Sequence, residues 1–361
     1  MSSALRSVAL PAFALALAAC AETTAPLPPP VELLLVVNTG DATLSIVPVS
    51  TGEPQVRVFI GTEVPADARP VAGRRLAVIA TGTGDSLAVV DLLDRQFNRA
   101  IFLGEGAGAR GAVLIGDTVA WVALSGRDAV SRVSLPTRDT VMVEVGHYPK
   151  DVVLARGKLF VINANVDSCP PPDDHCPAGE SWITVVDPVT NARATGRDSI
   201  PLPGPGNASY ATVGADGRVY VMSVGGPENP AGRLTIIDPV TRTELGSFGG
   251  FGDTPGPIAA DRGERIIVSS RTQGLMEFNT RTRTVVRGAG SGIPVAGNLG
   301  VTADSRNLIY GIEATNCGAG TPGRVRVFRP DFTETQSIST GPCPGAATTA
   351  LIPPSPEPEE P

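Results

Sequence analysis

Seven segments of the chain can be laid under one another, and this repetition constrains the fold more than any other feature. They are LSIVPVSTG (44–52), LAVVDLLDR (87–95), VSRVSLPTR (130–138), ITVVDPVTN (183–191), LTIIDPVTR (234–242), LMEFNTRTR (275–283) and VRVFRPDFT (325–333). Each runs alternating apolar residues into a turn residue, then into a Thr- or Pro-rich bend. The turn residue falls at Pro48, Asp91, Ser134, Asp187, Asp238, Asn279 and Arg329, in steps of 43, 43, 53, 51, 41 and 50 residues. A period of about 40–50 residues is that of one four-stranded propeller blade. A hairpin pattern precedes these segments, with apolar strands around a short polar turn, as at 151–163, 210–222, 258–270 and 300–312. A further strand follows the bend, as at 141–146 and 244–250, so each unit reads as strands A to D. The recurring Asp is a turn-former, since Asx side chains bond the backbone two residues on; no catalytic role is assigned to Asp91, Asp187 or Asp238.

The ends of the repeat suggest how the ring closes. The first unit begins at Glu32 with a strand B and lacks a strand A, while an apolar segment at 346–352 follows the last strand D. A C-terminal strand A completing the first blade would leave no open edge. The expected fold is therefore all-β: a seven-bladed β-propeller of four-stranded antiparallel blades over residues 31–352. The composition agrees, with 41 Gly, 34 Pro and a hydrophobic fraction of 42%, which suits many short strands and turns around a real core. A net charge of −7, with no run of Lys or Arg, argues against a broad nucleic-acid footprint.

Outside the repeat, residues 1–19 read as a signal peptide. Arg6 precedes an apolar stretch of about 12 residues, too short to span a bilayer. Leu17-Ala18-Ala19-Cys20 resembles the bacterial lipobox, which implies lipidation of Cys20. Residues 20–30 then form a lipidated Cys and Pro-rich tether, and 353–361 an acidic tail expected to be disordered.

Several blocks resemble the YVTN/YncE-like propeller repeat. Val185-Val186-Asp187-Pro188-Val189-Thr190 and Ile236-Ile237-Asp238-Pro239-Val240-Thr241 match its arm. Gly214 to Val221 match its hairpin, and Gly146-His147-Tyr148-Pro149 its link. Blades one, three, six and seven depart from it, with Pro48, Ser134, Asn279 and Arg329 in place of the arm Asp.

In a propeller the B–C loops and D–A links share one face, and the A–B and C–D turns the other. The extra length here lies in the B–C loops of blades four (164–181), five (225–232) and seven (314–323). Variable loops on a rigid scaffold are where partners tend to meet a protein. Cys169, Cys176, Cys317 and Cys343 remain after Cys20, and an even number in an exported chain implies disulfides. Topology pairs Cys169 with Cys176 and Cys317 with Cys343. A metal site at Cys169 and Cys176 is disfavoured because adjacent His175 and Cys176 fit tetrahedral geometry poorly.

The same face collects His147, Tyr148, Lys150, Asp151, Asp173, Asp174 and His175, a candidate binding cluster. Hydrolase, nucleotide and zinc-protease motifs are missing, and no cofactor is implied. The expectation is a monomeric, lipid-anchored protein of the bacterial cell envelope, facing the periplasm or exterior. It would serve as a non-catalytic binding or scaffold module for an envelope protein, glycan or small ligand. The alternative is a lactonase- or lyase-like enzyme with its site at the mouth of the central channel, an analogy from fold alone.

Overall fold

The computed structural model describes residues 29–49, 55–61, 64–66, 68–169, 175–229, 231–315, 317 and 320–353. Cys20, Asp173, Asp174, the signal segment and the tail beyond 353 lie outside these. Among the described residues the regular elements are all strands, arranged as a seven-bladed β-propeller. Six blades are four-stranded antiparallel sheets. In blade four the outer strand is broken into Ala192–Arg193 and Ser199–Leu202, both pairing with strand C, Ser181–Asp187.

The ring closes as the repeat register requires. Pro344–Ile352 pairs antiparallel with Val31–Asn38, from Val31 opposite Ile352 to Asn38 opposite Pro344. The closing strand starts two residues earlier than the apolar pattern indicated, because Pro344 and Gly345 carry little hydrophobic signal. Cys317 and Cys343 are bonded, with Cα atoms 4.5 Å apart, tying the blade-seven loop to the link that enters this strand. Thr39 adds two bonds to the Cys343 carbonyl, at 2.9 Å from its amide and 3.0 Å from its hydroxyl. A crosslink spanning 26 residues contributes about 3 kcal/mol in the chain-entropy view.

The C–D turns show why the recurring residue is Asp or Asn. Asp238 Oδ1 accepts the amides of Val240 and Thr241 at 2.8 and 3.2 Å, and Asn279 Oδ1 those of Arg281 and Thr282 at 3.0 and 2.8 Å. Asp91 and Asp187 do the same for Leu93 and Val189, both at 3.0 Å. Each turn then passes through a left-handed residue, Arg95, Asn191, Arg242 or Arg283, with φ between 52° and 56°. That conformation inserts a bulge, and the C–D register slips beside it in blades two, five and six.

The core is a set of apolar layers between neighbouring blades, since each twisted sheet must cover both faces. Trp121 on strand B of blade three is fully buried against Val152, Leu159 and Val161 of blade four.

Candidate functional site at the channel mouth

Strand A lines the channel, and its pairing with strand B sets the level of each side chain. Pro70, Ala112, Val152 and Ala211 pair with Ile79, Val122, Val161 and Val221 in blades two to five. The residue before each of them is Arg69, Gly111, Asp151 and Tyr210. A Cβ on Gly111 would come within 2.3 Å of Asp151 Oδ1, so only glycine leaves the gap in blade three. Through that gap Arg69 of blade two reaches past blade three to form an ion pair with Asp151 of blade four. Its guanidinium also lies 5.4 Å from the ring centroid of Tyr210 in blade five. Asp151 is buried and accepts two further bonds, from the amides of Val152 at 2.9 Å and Ala211 at 2.7 Å. A buried carboxylate needs this kind of saturation to be tolerated.

One residue earlier on strand A stand Arg110 and Lys150, in blades three and four. Both lie against the ring of Tyr148, the Arg110 guanidinium at 5.9 Å and the Lys150 ammonium at 6.0 Å from its centroid. Arg110 donates to Tyr148 Oη at 3.1 Å. Lys150 donates to Asn207 Oδ1 at 3.0 Å and Ser209 Oγ at 3.3 Å. Arg69, Arg110, Lys150, Ser209 and Tyr210 line a single small recess. Arg69 and Asp151 also border the channel, a cavity of about 310 Å³ walled mainly by Ala, Val and Thr. The other mouth differs: Glu32, Asp261, Arg262 and Asp304 stand there. Its acids serve the A–B turns, Asp304 accepting from Tyr310 Oη at 3.0 Å and Asp261 from Arg265 Nε at 2.7 Å.

A second cluster sits beside the first on the loop face. His147, in the link entering blade four, lies between Asp128 of the blade-three B–C turn, with Nδ1 3.3 Å from Oδ2, and Asp167, with Nε2 3.0 Å from Oδ1. Asp128 also accepts the Tyr148 amide at 2.9 Å, which secures Tyr148 in its left-handed backbone at φ 52°. Asp167 belongs to a short hairpin inside the blade-four loop, Val166–Ser168 with His175–Pro177, closed by the Cys169–Cys176 bond. Pro177 of that hairpin packs so closely on blade five that a Cβ on Gly226 would fall 2.4 Å from it.

Partial burial works against the imidazolium, but the bonds and charges of Asp128 and Asp167 outweigh it and raise the His147 pKa. A raised folded value means that this bridge contributes fully below the unfolded value of about 6.5 and is lost as pH climbs through the folded one. Amide exchange of residues 166–168, 175 and 176, corrected for intrinsic rates, should therefore accelerate as the pH climbs above about 6.5. His147→Gln should remove that dependence; a dependence that persists in the variant would contradict the bridge.

The cluster expected from the sequence thus divides. His147 joins the exposed bridge, Tyr148 and Lys150 the cationic recess, and Asp151 is a buried anchor. His175 pairs with Ser168 in the hairpin, away from strand A. Arg69, Arg110, Asp128 and Asp167 were not singled out; Arg69 and Arg110 stand at adjacent levels of strand A in neighbouring blades, which only the folded register brings together.

No family model and no curated protein matches this chain. Among solved structures it is similar to a functionally unknown protein from Desulfotomaculum acetoxidans, at 12% identity and a TM-score of 0.63, over 89% of this chain and 99% of that one. It is similar also to Kuenenia stuttgartiensis hydrazine synthase, at 15% identity and a TM-score of 0.59, over 87% and 99%. At such identities the likeness carries the fold alone.

Proposed function

We propose that this chain is a lipid-anchored envelope propeller, built from YVTN/YncE-like repeats, that acts as a non-catalytic binding module through its loop face. One observation supports it above others. Val31 and Ile352, where the chain enters and leaves the ring, face each other at the A–B end of blade one. Strand B runs from that end toward the B–C loops, so a tether from Cys20 would leave from the face opposite the recess. The elaborated loops, the bridged hairpin and both disulfides would then point away from the membrane.

Two results are expected from cells. Cys20→Ser should move the protein to the soluble fraction, because the acyl chains supply membrane affinity. In the anchored wild type, a photo-crosslinker at the exposed Glu180 on the loop face should capture a partner, and one at the exposed Thr118 in an A–B turn should not. Retention of Cys20→Ser on the membrane would refute the anchor. Capture from Thr118 alone would refute the choice of face.

A further inference from the structure

We infer that the C–D turns of blades four and five, with the arginines that join them, are a docking surface for an anionic lipid bilayer. This rests on the proposed anchor at the same face and deepens it. A tether alone leaves the domain free to tilt. In a ring of seven, blades four and five lie farthest from blade one, where the chain enters at Val31. A second contact there lays the turn face on the membrane and turns the loop face away.

Strand C runs toward the turn face, so Ser181–Asp187 and Arg233–Asp238 both end there. Val189 and Val240 stand at the tips beyond them, 84% and 72% exposed. Among the described residues, these two and Leu93 are the large apolar side chains exposed outside strands, and all three sit in C–D turns. A lone exposed apolar residue means little, but a set confined to the turns of one face marks a contact. The tips are also held in place. Each tip amide donates to the carboxylate of its own turn, Val189 to Asp187 at 3.0 Å and Val240 to Asp238 at 2.8 Å. Arg242 ties the two turns together, its Nη1 donating to the carbonyls of Thr195 at 2.7 Å and Arg197 at 2.9 Å.

The arginines here meet carbonyls and keep their charge. Arg197 donates to the Arg242 carbonyl at 3.4 Å, and Arg283 of the next turn to the Leu245 carbonyl at 3.4 Å. The acids beside them are engaged elsewhere: Asp187 by Lys158 at 2.7 Å, Asp198 by Arg193 at 2.8 Å, and Asp238 by amides of its own turn. Apolar tips flanked by guanidinium groups suit a surface of anionic headgroups over hydrocarbon. The arginine stems reach the phosphates while the valines sit deeper. Each contact is weak, but a tether raises the local lipid concentration enough for weak contacts to hold. The same charges would suit an acidic protein, yet the tether brings a bilayer to this face.

The test holds the mature chain carrying Cys20→Ser on vesicles through an N-terminal histidine tag and a nickel-chelating lipid. Its result therefore does not depend on acylation of Cys20. An environment-sensitive fluorophore is attached at Val240→Cys or, on the loop face, at Glu180→Cys. On vesicles of phosphatidylethanolamine and phosphatidylglycerol the emission from 240 should shift to the blue, and that from 180 should not. On phosphatidylcholine the shift at 240 should be largely lost. Arg197→Gln combined with Arg242→Gln should weaken docking about tenfold or more, since each basic residue near an anionic surface contributes about fivefold. Melting curves show whether that variant folds. Val189→Asp leaves the bonds between the turns intact and should weaken docking about fivefold by itself. Cutting the acidic residues 354–361 should leave the shift in place. No shift at 240, an equal shift at 180, a shift as strong on phosphatidylcholine, or its loss with the tail would overturn the patch. Capture of a protein in cells by a photo-crosslinker at Val240, with no shift on vesicles, would give the face a protein occupant instead. Release of Cys20→Ser from cell membranes reports on the anchor alone, so the two readings fail separately.

Discussion

Removing residues 344–353 should abolish cooperative folding of the ring. Strand B of blade one, with Leu33 to Val37 almost wholly buried, would lose every ladder partner on its inner side. The Cys317–Cys343 crosslink would then tie blade seven to a free end. Losing a strand of eight paired positions outweighs the 5–15 kcal/mol that keeps a domain folded, once the exposed edge is counted. The measurement is a thermal melt of residues 31–343 beside 31–353 and the full mature chain. The shortest chain should show no sharp transition. Cutting only residues 354–361 should move the midpoint by no more than about 2 °C, since a polar terminal tail adds little to a packed ring. Similar sharp melts for all three would contradict closure by this strand.

Asp151→Ala should be the most damaging point substitution at the channel mouth. Its carboxylate balances Arg69, whose side chain is only 20% exposed, and satisfies two backbone amides. Breaking a buried pair by deleting one partner costs about 3 kcal/mol, because the remaining charge stays poorly solvated. Urea denaturation should therefore report a loss of about that size. The double variant Arg69→Met/Asp151→Ala should recover much of it, as neither charge is then left alone. A single-variant loss below about 1 kcal/mol, or no recovery in the double, would mean that the pair does not hold the mouth together.

The two expectations draw on parts of the sequence that differ in legibility. The repeat was readable because turn chemistry is local: Asp91, Asp187 and Asp238 sit at the ends of their strands C and bond amides two residues on. Ring closure followed from counting strands, and both disulfides from compartment and topology. The mouth was legible only in part. Lys150 and Asp151 stood out beside the Gly146-His147-Tyr148-Pro149 link, yet their neighbours in sequence are not their partners.

Arg69 and Asp151 are 82 residues apart and meet only because Gly111 in the intervening blade has no side chain. An absence of atoms leaves no pattern to read. Asp128 and Asp167 looked like ordinary loop acids, and their roles depend on the folded position of His147. The hairpin at 166–177 was likewise masked by a Pro- and Asp-rich stretch that resembles an irregular loop.

The central claim is that the loop-face mouth of the channel, and not the opposite one, is where this propeller binds. Amide exchange of the mature protein with and without the partner captured from Glu180 tests it directly. Protection is expected at 68–71, 109–112, 148–152 and 207–212, which carry Arg69, Arg110, Tyr148, Lys150 and Tyr210. The A–B turns at 116–118, 156–157, 214–217 and 261–264 should exchange as in the free protein. Protection confined to those turns, or spread evenly over both faces, would contradict the account.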